Sequence, residues 1–129
     1  MADVKEELLA LNQKLLDCIV RADWQTYQDL CDPSLTCFEP EALGQLIEGL
    51  AFHEFYFKLG AVKGDHCTTM ASPHVRVVCS VAIVSYVRVN QRRQADGSPV
   101  TRTVEETRIW QKIDGTWKHV HFHRSLPGE

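Results

Sequence analysis

The side chains best suited to chemistry gather near the end of the chain, in His119-Val120-His121-Phe122-His123-Arg124. Strict alternation there predicts a strand with the three histidines on one face and Val120, Phe122 and Arg124 on the other. Three histidines suggest a metal. On a strand, however, residues two apart are about 7 Å from each other and residues four apart about 13 Å, so His119 and His123 cannot share one ion. Two of them could hold zinc with a cross-strand third ligand, but spacing places no Cys or acid to complete the set. No metal site and no cofactor are therefore expected. The histidine row reads instead as an outward, polar and weakly charged face that another subunit can cover, because interface centres tend to exclude Lys and Glu.

The opposite face is odder. In the two preceding strand-like segments, Val84, Tyr86 and Arg88 share a face, as do Val104, Glu106, Arg108 and Trp110. Each of the three strands thus sends one arginine among bulky apolar or aromatic residues. An unpaired charge there would cost roughly several kcal/mol, so a carboxylate, a water-filled cavity or a ligand must be near. Glu106 is the obvious internal partner, and three guanidiniums against one acid leave positive charge over. Two readings stay open. The arginines snorkel to the sheet edge and pair with acids, or they line a pocket for a small anion, since guanidinium forks match carboxylate or phosphate bidentately. His53 could add a donor if its helix lies across the sheet, although a lone His beside Phe52 and Phe55 also reads as a satisfied, half-buried residue.

The elements that must position these groups follow from periodicity. Val4, Leu8, Leu9, Leu11, Leu15, Leu16, Ile19 and Val20 build one long amphipathic helix. Asp23 caps a second helix over "WQTYQDLC", which Asp32-Pro33 stops. Short extended pieces follow in "SLTCFEP" and "LGQLIEG", then a third helix in "LAFHEFYFKLG", ended by Gly60. From His66 onward, four segments rich in Val, Thr, Ile and aromatics predict an antiparallel meander with turns at Asp96-Gly97 and Asp114-Gly115. Pro73 requires its strand to be an edge or to bulge, which suits a curved sheet. The expected architecture is α+β, with helices covering one face of a curved antiparallel sheet.

Composition narrows the class. A chain of 129 residues with 44% hydrophobic residues fits one domain over 1–129. Five cysteines without zinc-type spacing, and no basic flank leading into an apolar core at the N-terminus, predict free thiols in a reducing, cytoplasmic compartment. The net charge of -3 offers no footprint for nucleic acid, and no apolar run approaches the roughly 20 residues that span a bilayer.

"LCDPSLTCFEPEALGQLIEGLAFHEFYF" (30–57), "SPHVRVV" (72–78), "YVRVNQ" and "EETRIWQKIDGTWKHVHFHRS" (105–125) closely resemble the association domain, or hub, of calcium/calmodulin-dependent protein kinase II. The resemblance runs from the first helix to Ser125. It implies the cone-shaped, nuclear-transport-factor-2-like fold, in which a long N-terminal helix packs in the palm of a strongly curved sheet. It also implies assembly: hubs pair through their sheets and join laterally into two stacked rings, typically of twelve or fourteen subunits, so that attached kinases meet in trans. The implied partners are further copies of the chain, hub-bearing calmodulin-dependent kinases and a small carboxylate. The chain carries no Gly-rich loop, HRD or DFG of a kinase.

The family's arginine-lined pocket maps onto Arg88 in "YVR", Arg108 in "EETR", Arg124 in "HFHRS" and His53 in "FHEFYF". With Tyr56 and Glu106, these make the expected ligand pocket, and His119, His121 and His123 the expected assembly face. Glu54 departs from the basic residue usual in animal hubs, and the Leu59 to Asp65 connection is shorter than usual. The same superfamily includes isomerases and dehydratases, so the alternative is a cone-fold enzyme with His53 and Glu106 or Tyr56 as acid and base. Against it, Arg108 beside Glu106 would depress that carboxylate's pKa and make it a poor general base. A small-anion receptor whose pocket is coupled to assembly is a third reading.

Overall fold

The computed structural model describes residues 3–126; residues 1–2 and 127–129 of the expected unit lie outside the described residues. Helix α1 (Val4–Val20) begins where the Asp3 side chain accepts from the Lys5 amide, and it buries Leu8, Leu15, Leu16 and Cys18. Helix α2 (Trp24–Leu30) is capped by Asp23, whose carboxylate accepts from the Thr26 amide at 3.1 Å. It ends at Leu30, one residue short of the expected stretch, because the chain is already extended at Cys31. Strand β1 (Cys31–Phe38) leads through a short 3-10 turn (Pro40–Ala42) and strand β2 (Ile47–Glu48) to helix α3 (Ala51–Lys58). Four long strands follow: β3 (His66–Val78), β4 (Val81–Arg93), β5 (Pro99–Ile113) and β6 (Thr116–Ser125).

The sheet runs β2-β1-β6-β5-β4-β3 and does not close. β3 to β6 form the expected antiparallel meander, and Asp114 and Gly115, at φ of 50° and 81°, give the last hairpin its primed turn. One pairing escapes local pattern. β1 adds to β6 in parallel, with Thr36 opposite His121 and Phe38 opposite His123. Helix α1 lies across β3 and β4, so Leu8, Leu15 and Leu16 meet Val75, Val84 and Trp110 in one core.

Two bulges bend the sheet. In edge strand β3 the register slips between Ala71 and His74, where Ser72 takes a φ of 51° beside Pro73. In β6, Trp110 faces His119 but Ile109 faces His121, so Val120 is the extra residue. This second bulge corrects the expected row of three histidines. An inserted residue reverses which face the following side chains reach. Trp117 and His119 therefore point inward before the bulge and Phe122 after it, whereas His123 is exposed. His119 is fully buried and cannot belong to an outer face.

Candidate functional site

Glu106 on β5 holds the concave face together. Its Oε1 accepts from the Tyr86 hydroxyl at 2.5 Å and from Arg108 Nε at 3.1 Å, and its Oε2 accepts from Arg88 Nη1 at 3.4 Å. Arg88 Nε donates to Thr68 Oγ1 at 2.9 Å. The Arg108 guanidinium lies over the Phe122 ring, 4.4 Å from its centroid, and its Nη1 is 3.4 Å from His119 Nε2. Alternation carries Tyr86, Arg88, Glu106 and Arg108 inward together, so the strand pattern alone assembles this network.

Burial by itself would raise the Glu106 carboxyl, but Arg108, then Arg88 and the Tyr86 hydroxyl outweigh it and hold the group at about 2. Burial, helped by Arg108 and Arg124, pushes His53 down to about 4. Neither group titrates near neutral pH, where a general acid or base works best. Glu106 is an anchor for two guanidiniums, and the arrangement does not favour acid–base catalysis.

Sequence reasoning missed Asn12. From α1 its Nδ2 donates to the Tyr86 hydroxyl at 2.9 Å, and its Oδ1 accepts from Trp110 Nε1 at 3.0 Å. A lone amide between Leu8 and Leu15 on an apolar stripe was the available signal.

Arg124 is handled differently. It bonds Glu41 and lies 3.6 Å from Glu39 Oε2, both on the loop after β1. These two acids correct the expected surplus of positive charge: Arg88, Arg108 and Arg124 face Glu39, Glu41 and Glu106. Pairing across 83 residues has no local signature, which is why alternation revealed only Glu106. Burial raises the Glu39 carboxyl, partly opposed by Arg124. His53 reaches Glu39 through Nδ1 at 3.7 Å and the Cys37 thiol through Nε2 at 3.6 Å. Burial and then Glu39 push that thiol up to about 12.

These groups enclose a cavity of about 230 Å³ between α3 and the sheet. Of the six expected pocket residues, His53, Tyr56, Arg88, Arg108 and Arg124 line it, while Glu106 stands behind the two arginines that it anchors. Arg124 is the most accessible of the three guanidiniums, with 20% of its side chain exposed against 2% for Arg108. His121 and His123 do not line this cavity but face the other side of the sheet, where the His121 ring is bonded to Thr36 Oγ1 at 2.7 Å.

Comparison with known proteins gives one consistent answer. The calcium/calmodulin dependent protein kinase II association domain matches residues 4–128. The delta subunit of calcium/calmodulin-dependent protein kinase type II from Oryctolagus cuniculus is 43% identical over 124 residues, covering 94% of this chain but 23% of that protein. The chain thus spans about a quarter of that relative's length. The CamKII hub homology domain of Chlamydamonas reinhardtii superposes with a TM-score of 0.90 at 52% identity, over 96% of this chain and 98% of that one. An NTF2-like superfamily protein from Salmonella enterica, at 22% identity and a TM-score of 0.78 over 98% and 92% of the two chains, shares the cone fold.

Proposed function

Because the chain belongs to the calcium/calmodulin dependent protein kinase II association domain family, we propose that it is a non-catalytic hub that assembles with itself into a two-layered ring of twelve or more subunits. In a cytoplasmic setting such a ring clusters attached or co-assembling kinases, raising their effective concentration toward roughly millimolar without new contacts. The observation that carries this reading is the outer face of β4, β5 and β6. Ser85 and Thr107, whose hydroxyls are 3.3 Å apart, join Ile109, His121 and His123 in a hollow of about 710 Å³ that Glu105 also lines. Such a surface, mostly hydroxyl and imidazole around one exposed carboxylate, Glu105, can be covered by a second copy without burying a lysine.

Native mass spectrometry tests the assembly. Even-numbered species of twelve or more subunits are expected, and a monomer or simple dimer would overturn the reading. His121→Glu places a carboxylate in the hollow, opposite its own copy in an isologous pairing, and should shift the mass distribution to smaller species. An unchanged distribution would remove the sheet face from the interface.

The inner cavity is proposed to take a small carboxylate, with Arg124 as the exchangeable partner. Arg108 is unsuited to test this, since it is buried against Glu106 and its loss would disturb the fold. Arg124→Gln should weaken calorimetric binding of acetate or succinate at least about tenfold, or about 1.4 kcal/mol. Binding should strengthen as pH falls, because protonating Glu39 releases Arg124. Equal affinity in wild type and Arg124→Gln would exclude this cavity as the site.

A further inference from the structure

Glu39 and His53 of the pocket wall, with Cys37 buried behind them, form a donor set that the histidine row lacks. Cys37 and Glu39 lie two residues apart in extended backbone, at and just beyond the end of β1, and α3 lays His53 against both. One donor atom from each lies within 4.8 Å of the others. Cys37 Sγ and His53 Nε2 are 3.6 Å apart, close to the sulfur–nitrogen edge, roughly 3.6 Å, of a zinc tetrahedron with bonds of about 2.3 and 2.0 Å. Glu39 Oε1 lies 3.7 Å from the other ring nitrogen, Nδ1, so completing a face of that tetrahedron requires its carboxylate to swing toward Nε2, to roughly 3.4 Å from it.

The three donors are also built in. Cys37 is fully buried, and the His53 and Glu39 side chains are 7% and 8% exposed. Tyr27, Phe52 and Phe122 flank the imidazole with ring centroids at 5.9, 5.8 and 5.5 Å, fixing its plane. Arg124 steadies the far oxygen of Glu39, the kind of outer-shell support that orients metal ligands. Thiolate, imidazole and carboxylate together suit zinc better than calcium or magnesium, which take oxygen ligands.

We propose that Cys37 Sγ, a Glu39 carboxylate oxygen and His53 Nε2 bind a zinc-class divalent cation, with the fourth position facing the cavity. On binding, the Cys37 S–H bond is replaced by S–metal and the proton leaves to solvent, so the site gains one net positive charge. Three protein ligands leave the fourth tetrahedral position open to water or a small ligand. The opposing charge of Arg124 is already neutralised by Glu41 as well as Glu39, so carboxylate remains for the ion. The inference does not rest on the assembly or on carboxylate binding, and its test uses neither.

The full reduced chain is titrated with Co²⁺ in a non-coordinating buffer. The expected result is one ion per protomer, a sulfur-to-cobalt charge-transfer band and the visible bands of tetrahedral cobalt, all displaced by Zn²⁺. Cys37→Ala should abolish the charge-transfer band and lower zinc affinity by more than the roughly 10–100-fold typical of an outer-shell loss. Circular dichroism checks that this variant folds, and His53→Gln serves in its place if it does not, with the same loss of affinity expected. The exposed thiols supply the control: Cys67→Ser with Cys79→Ser should keep the band. No band in the wild type, a band that survives Cys37→Ala, or a band lost with the exposed thiols would overturn the assignment.

Discussion

Glu106→Gln is expected to lower folding stability by about 3–5 kcal/mol, because it keeps the shape of the side chain while leaving two buried guanidiniums without their anion. Arg88 and Arg108 both reach this carboxylate, and both are at least nine-tenths buried. Adding Arg88→Met should recover part of the loss by removing one uncompensated charge, which a hydrogen-bonding defect alone would not predict. Urea midpoints at matched protomer concentration measure both effects, since assembly couples to folding. A loss below about 1 kcal/mol would mean that solvent reaches the network and screens it.

The same carboxylate sets part of the pH response. Glu106 sits at about 2 in the fold against 4.5 when free. Its folded value is the lower one, so its contribution is present above pH 4.5 and is lost as pH falls toward 2. His53 acts earlier. It is lowered from 6.5 to about 4, so the unfolded chain takes up this proton first and stability declines as pH falls from 6.5 to 4. Glu39, whose carboxyl is raised, works in the opposite sense. Stability should therefore fall in two stages on acidification, and Glu106→Gln should remove the lower stage while sparing the upper. The fully buried His119, also held well below 6.5, adds to the upper stage, so a flat profile between pH 6.5 and 4 would show that neither histidine is held neutral.

Asn12→Ala should cost about 1–3 kcal/mol, although it removes only an amide from a helix. The Trp110 indole N–H would lose its acceptor inside the core, an orphaned buried donor costing about 1–3 kcal/mol, while the Tyr86 hydroxyl would lose one donor but keep Arg108 and Glu106. Alanine has the higher helix propensity, so helix formation itself would favour the variant. A measured loss is then attributable to the buried bonds. An effect under about 0.5 kcal/mol would show that water replaces the amide.

How far the sequence could be read depended on whether the signal was local. Period 3.6 over 4–20, the Asp23 cap and the Asp114-Gly115 turn each depend on neighbours, and each matches the structure. Inward placement of Arg88, Arg108 and Arg124 followed from period 2. The same rule misplaced His119, because Val120 carries no glycine or proline to announce a bulge. The partners of Arg124 and the company of Cys37 depend on where β1 docks and on how α3 lies, which no window of neighbouring residues encodes.

The parallel seam between β1 and β6 also orders events in time. Thr36 and His121 are 85 residues apart, and Glu41 and Arg124 are 83 apart. Closing so large a loop costs entropy before any contact repays it, and such non-local pairings slow folding. On the ribosome, the long helix and the first hairpins can form while β1 has no neighbour on one edge. Only when residues 116–125 emerge are the pocket wall and the outer histidine face completed, in a single docking step. Competence for the proposed assembly then arrives together with the closed pocket, so nascent chains would stay out of it until nearly the whole domain has been made.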